Sequence, residues 1–392
     1  MSTLFGQYLL KRFPLTRNEK LRAWDAADEL VLDHIYKHNP LAERNTKDSA
    51  QVLLINDGFG ALSVALNEYL PDNWSDSVTA HFSTSENLKL NALKNIKLIE
   101  STKSPSKLYG LIVIKLPKSL ALLEHQLIEI RRCMTSTTTV IAAGMIKHSH
   151  KSQLALFEKY IGKTHTSLAK KKARLVFATP DNRILSKNYL SPFPFTYQEK
   201  SLGLSLSNHA NVFSHDKLDI GTRFILAQFE VLPRANTIVD LGCGNGILGI
   251  KAATAQKEKF GINSKIHFVD ESYMALESAK INFFDSFDKT VDSFESPEFH
   301  ENISLEDIEL RAVDLIICNP PFHQNHTITD HIAKAMIANS QRMLGNGGVM
   351  WLVGNRHLDY PAKMKRIFGN CQLIAGNTKF VVLTSSVSKT AK

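Results

Sequence analysis

Four consecutive residues, Asn319-Pro320-Pro321-Phe322, carry the most specific chemistry in this 392-residue chain. An exocyclic amine on an aromatic ring is a poor nucleophile, because its lone pair is delocalised. A site that alkylates one must hold both N–H groups so that the lone pair turns out of the ring plane. The Asn319 side-chain carbonyl and the Pro320 backbone carbonyl are two such acceptors, the prolines fix φ and stiffen the turn, and Phe322 can stack on a planar ring. Asn319, Pro320 and Phe322 are therefore the expected catalytic group. His323 follows as an expected substrate contact, whereas a general base at His323 or His326 is not required, since the proton can leave after transfer.

The second element is Asp240-Leu-Gly-Cys-Gly-Asn-Gly246, roughly 80 residues upstream. Glycines at 242, 244 and 246 suit a tight turn from strand to helix, where the absence of side chains admits a ligand. The spacing alone also fits a dinucleotide enzyme. A carboxylate at Asp240, expected to point at the ligand, would repel a pyrophosphate and suit the ammonium group of S-adenosylmethionine; a helix-capping role is the alternative. Asp270 closes the next apolar run and is expected on the ribose hydroxyls. The segment His209 to Phe224, with Asp219, is expected to fold over the methionine end of the cofactor.

Positioning these groups requires strands alternating with amphipathic helices, and the chain supplies that pattern twice. Val52 to Leu62 echoes Thr237 to Leu248, Ser85 to Asn91 echoes Leu276 to Asn282, and Leu111 to Pro117 echoes Asp314 to Pro320. Phe157 to Gly162 and Ala173 to Phe177 likewise echo Met364 to Gly369 and Lys379 to Leu383. The expected fold is α/β, two tandem Rossmann-like domains, each a doubly wound, mostly parallel sheet. Interrupted periodicity between Pro180 and Ser201 places the cut at 1–190 and 191–392. The first copy has Asp57-Gly-Phe-Gly60 for the glycine loop and Lys115-Leu-Pro117-Lys118 for the amide turn, so it is expected to be catalytically dead.

Composition narrows the partners. Residues 1–200 hold 28 Lys and Arg against 18 Asp and Glu, while residues 201–392 hold 19 against 20, so the net charge of +9 belongs to the first half. Lys170, Lys171, Lys172 and Arg174 are its densest run, read as a surface facing nucleic-acid phosphates, with a solvated face as the alternative. Four scattered cysteines without a Cys-x-x-Cys pair imply neither disulfides nor zinc, so no metal is expected. No apolar stretch approaches the ~20 residues of a membrane span and no apolar segment follows Lys11 and Arg12, so a cytoplasmic protein is expected.

On Ala23-Trp-Asp-Ala-Ala-Asp28, Ile114 to Glu124, His209-Ala-Asn-Val-Phe-Ser214, Val239 to Gly246, Phe268-Val-Asp-Glu-Ser272 and Cys318 to Gln324, the chain resembles the class I S-adenosylmethionine-dependent ribosomal RNA guanine-N2 methyltransferases of the bacterial RlmG/RsmC group. The resemblance covers nearly the whole chain. It implies a first domain that recognises RNA without cofactor, a catalytic second domain, and N2-methylguanosine in 23S ribosomal RNA as product, the sister enzymes acting on 16S RNA. A monomer is expected. Longer stretches at Lys257 to Ser264 and Asp285 to Ile303 depart from the group, and Asn302 is taken for the adenine contact. Two rival readings stand beside it: a protein glutamine methyltransferase, which presents a planar amide to the same turn, and a non-catalytic RNA-binding assembly factor.

Overall fold

The computed structural model describes residues 1–15, 19–40, 51–148, 150–287, 295–302, 305, 308–321 and 326–388. The chain divides into two compact units, Met1–Phe193 and Pro194–Lys392. Each is built on one seven-stranded sheet. In the first unit the strands are β1 (Val52–Ile55), β2 (Asp72–Ser75), β3 (Leu98–Glu100), β4 (Leu111–Lys115), β5 (Thr139–Met145), β6 (Thr164–Thr166) and β7 (Ala173–Ala178), in the spatial order β3-β2-β1-β4-β5-β7-β6. The second unit has β8 (Thr237–Leu241), β9 (Lys265–Asp270), β10 (Glu298–Glu301), β11 (Val313–Cys318), β12 (Leu344–Asn355), β13 (Gln372–Gly376) and β14 (Phe380–Ser386), ordered β10-β9-β8-β11-β12-β14-β13. The two orders are the same. In each sheet the last strand in sequence runs antiparallel to its neighbours and the first four pair in parallel.

Parallel strands covered on both faces read as unbroken apolar runs, and Leu111 to Ile114 and Leu315 to Cys318 are completely buried. Alternate residues serve opposite layers. Leu53, Ile112 and Ile114 pack with Leu123 and Leu127 of the helix Leu120–Ile130, while Leu54 and Val113 pack with Val31 and Leu32 of helix α1 (Ala26–His38). Each such side chain contributes roughly 1.5–3 kcal/mol on leaving water.

The duplication extends to hydrogen bonds. In the first unit, helix α2 (Ala61–Ala65) follows Gly60 and α3 (Val78–Leu90) is capped by Ser77, whose hydroxyl accepts from Ala80 N–H. In the second, α4 (Ile220–Leu226) precedes the sheet, α5 (Ile247–Phe260) follows Gly246, and α6 (Tyr273–Ser286) is capped by Ser272, whose hydroxyl accepts from Ala275 N–H. Asn282 of α6 donates to the carbonyls of Ser207 and Asn245 and accepts from Ser207 N–H. Asn87 of α3 donates to Lys11 and Phe59 and accepts from Lys11 N–H. Asn87 and Asn282 stand at the same distance from their N-caps. The sequence pairing of Asn91 with Asn282 is thus corrected by about one helical turn.

Candidate active site

The three glycines form the turn between β8 and α5, all at positive φ: +70° at Gly242, +54° at Gly244 and +80° at Gly246. A Cβ at Gly246 would lie 2.8 Å from the Cβ of Ala279, whereas one at Gly244 would meet nothing within 4 Å. Gly246 is therefore required by packing of α5 on α6. Gly244 faces open space, which belongs to a cavity of ≈ 400 Å³ lined by Gly242, Gly244, Asp270, Asn302, Asp219 and Asn319 among others. That volume is in the range of small-molecule sites.

Asp270 ends β9 at the rim of this cavity. Its two oxygens accept from Gly244 N–H at 2.9 Å and Ser272 N–H at 3.0 Å, and its own carbonyl accepts from Asn302 N–H at 2.9 Å. One carboxylate thus ties the glycine loop, the N-cap of α6 and the end of β10 together. The upstream segment adds Asn211, Phe213 and Asp219 to the lining.

Asp240 is a correction. It is fully buried and does not line the cavity; its Oδ2 accepts from Gly249 N–H, in the first turn of α5, at 2.7 Å. The carboxyl anchors a helix N-terminus through Oδ2, which is the capping alternative, and stands outside the cavity's lining. Burial pushes its pKa up to about 8. With the folded value above the unfolded one, stability is fully present below about pH 4 and is lost as pH rises through about 8. Asp240→Asn keeps an acceptor for Gly249 and is expected to flatten this slope while leaving cofactor affinity within a few-fold; denaturant midpoints across that pH range and calorimetric titration check both parts.

Asn319, at the end of β11, is held from one side. Its Nδ2 donates to Thr222 Oγ1 at 3.0 Å and to Asp219 Oδ2 at 3.4 Å. A carboxylate only accepts, so the amide must turn its Oδ1 the other way. That oxygen is buried and accepts no hydrogen bond among the described residues. Asp219 is the N-cap of α4, and its Oδ2 also accepts from Thr222 N–H at 3.0 Å. Thr222 was missed in the sequence, although Asp-x-x-Thr is a capping spacing that marks the pair as neighbours. Pro320 and Pro321 line the cavity. Phe322 and His323 lie outside the described residues, as does the side chain of His326. Cys243 and Cys318 are buried, and burial holds both thiols well above their usual range, so neither is a thiolate nucleophile.

The basic run is elsewhere, in the first unit. Lys170 pairs with Asp33 at 3.2 Å and Lys171 with Glu29 at 2.8 Å, which neutralises part of the patch. Lys172 is exposed and unpaired among the described residues, and Arg174 is half-buried on β7.

The first unit also shows what replaced each site element. Asp57 anchors the N–H of Ser63 as Asp240 anchors that of Gly249, but from within the turn, six residues away instead of nine; the two turns are equally long, Ile55 to Gly60 and Leu241 to Gly246, and Leu54 stands where Asp240 stands. Ser75 stands where Asp270 stands, its hydroxyl accepting from Ser77 N–H. At the end of β4, the largely covered Lys115 donates to Asp28 at 2.6 Å and Asp25 at 2.9 Å, Asp25 being the N-cap of α1 as Asp219 is of α4.

An open sheet with a glycine loop after β8, an acid ending β9 and an amide-proline turn ending β11 defines an S-adenosylmethionine-dependent methyltransferase. The sequence comparisons carry this further. Residues 1–182 match the RLMG N-terminal domain and residues 203–384 the methyltransferase small domain. The chain is 42% identical over 385 residues to the ribosomal RNA large subunit methyltransferase G of Aeromonas salmonicida, covering 98% of each, and 39% identical over 384 residues to that of Pseudoalteromonas translucida, covering 97% and 96%. The solved structure of the T. thermophilus 16S rRNA N2 methyltransferase RsmC, in complex with AdoMet and guanosine, shares the fold at a TM-score of 0.70 and 18% identity, over 86% of this chain and 87% of that one. The chain belongs to the ribosomal RNA large subunit methyltransferase G family.

Proposed function

We propose that the chain methylates the exocyclic N2 of one guanine in 23S ribosomal RNA, the second unit performing the transfer and the first, holding no cofactor, binding RNA. The observation that carries this reading is the Asn319 amide, pinned through Nδ2 so that Oδ1 is left as a buried acceptor. S-adenosylmethionine, when bound, supplies an electrophilic methyl group on a sulfonium. The Gly242 to Gly246 turn and Asp270 would hold its ribose, Asn302 its adenine edge, and Asp219 would balance its ammonium group. Asn319 Oδ1 and the Pro320 carbonyl accept the two N2 hydrogens and turn the lone pair toward the methyl carbon. Phe322 stacks on the base and His323 borders it.

Because a sulfonium's leaving group would be a neutral thioether, this reading gives the transfer step no metal and no strong base; alignment supplies most of the rate. A base stacked in a helix cannot enter such a cavity, so the substrate is an unpaired or flipped nucleotide. The large-subunit names of the full-length relatives favour 23S over 16S RNA as substrate. No described helix is long and apolar enough to cross a membrane, and we read the protein as a cytoplasmic monomer. Mapping methylated guanines in ribosomal RNA from cells with and without the gene tests the proposal: loss of one N2-methylguanosine from 23S RNA supports it, and loss from 16S RNA or from a protein glutamine overturns it.

The basic run gives a second test. Replacing Lys170, Lys171 and Lys172 by Gln is expected to weaken RNA binding and to flatten log K against log salt by roughly 0.7 for each phosphate no longer neutralised. The change should be nearer that of a single phosphate than of three, since Asp33 and Glu29 already engage two of the lysines. An unchanged slope makes the run a solvated face.

A further inference from the structure

His267 on β9 and Glu298 and His300 on β10 meet on one side of the sheet edge, away from the cofactor cavity's lining. The parallel register sets His267 opposite Glu298 and Val269 opposite His300, so all three side chains share a face. His267 Nδ1 lies 3.0 Å from His300 Nε2 and 3.4 Å from Glu298 Oε2, and His300 Nε2 lies 3.6 Å from the same oxygen. Zinc bonds of 2.0–2.2 Å to nitrogen and oxygen give a tetrahedron with edges of roughly 3.3–3.5 Å. The three atoms approximate one face of it, the two histidine nitrogens standing closer, at a hydrogen-bonding 3.0 Å.

The surroundings fit. Lys265 Nζ lies 2.5 Å from Glu298 Oε1, which fixes the carboxylate through the oxygen that does not face the histidines, as outer partners of metal ligands do. Glu298 is partly exposed, which leaves a fourth position open to water.

We propose that His267, Glu298 and His300 bind one divalent transition-metal ion, zinc by its donor set, which clamps the edge strand β10 to β9. The site escaped a sequence search because a strand pairing, not a local spacing, unites its ligands. Its consequence reaches the cofactor. Strand β10 has four residues and leads directly into Asn302, which bonds Asp270 and lines the cavity. A metal at one end of so short a strand holds the other end in place.

The inference does not rest on the methyl-transfer reading, and its test does not use turnover. The untagged full chain, stripped with a chelator, is titrated with zinc against a chromophoric competitor and with cobalt, whose four-coordinate complexes absorb intensely in the visible. One ion per chain is expected, with a rise in Tm on zinc addition. Glu298→Gln and His300→Ala should each weaken it at least about tenfold, with an unchanged far-UV circular dichroism spectrum as the sign of correct folding. Absence of stoichiometric binding to the wild-type chain, or stoichiometric binding unchanged in both variants, overturns the proposal.

Discussion

Asn319→Ala is expected to slow methyl transfer by about 10²–10³-fold, the usual loss on removing one preorganised hydrogen-bonding group from a transition-state site, while S-adenosylmethionine affinity stays within a few-fold. The asymmetry follows from the geometry. Thr222 and Asp219 occupy Nδ2, and Oδ1, the acceptor proposed for the amine, has no hydrogen-bond partner among the described residues. Alanine removes that acceptor without touching the glycine loop or Asp270. Asp219→Asn is a subtler member of the same series: the new amide can donate as well as accept, so Asn319 loses the constraint on its orientation. Its kcat should fall, with a smaller effect than Asn319→Ala. Single-turnover rates with calorimetric cofactor titration separate the two effects, and wild-type turnover in Asn319→Ala would sink the assignment of the turn.

Lys115→Met should destabilise the first unit by about 3–5 kcal/mol, the range for removing one partner of a buried ion pair. Lys115 is enclosed with Asp28, which is itself buried, and the half-exposed Asp25. Removing the ammonium strands a carboxylate with no solvent to stabilise it. The two acids raise the lysine's pKa against the opposing effect of burial, so the charge is retained at neutral pH. Adding Asp28→Leu to Lys115→Met should recover much of the loss, because an apolar replacement of a whole buried pair is often neutral. Denaturant titration reads the first unit's midpoint, and cofactor binding by the second unit should not change. An unmoved midpoint would mean that the three groups are solvated in solution.

The two sheets were legible from the repeated order of apolar runs, since parallel strands buried on both faces leave little else in their sequence. The glycine loop was legible for the same local reason, a turn that only glycine can make. What sequence could not settle was direction and register. Asn87 and Asn91 lie four residues apart on one helix face, so the apolar pattern of α3 tolerates pairing either with Asn282; only the distance from Ser77 decides between them. Asp240 closes a strand in the position expected of a ligand contact, yet its side chain turns under the loop to meet Gly249, and no residue pattern records that choice. Thr222 and the histidine cluster depend on contacts between segments distant in sequence.

The ion pair of the first unit has an evolutionary meaning. A lost side chain can return by one substitution, as Ser75→Asp would restore a carboxylate. An amide cannot be reinstated at the end of β4 while Lys115 holds Asp25 and Asp28 together, since that exchange must pass through an unpaired buried charge. The ion pair acts as a ratchet. Selection on the first copy is thereby confined to its surface, where changes in partner recognition cost the fold little.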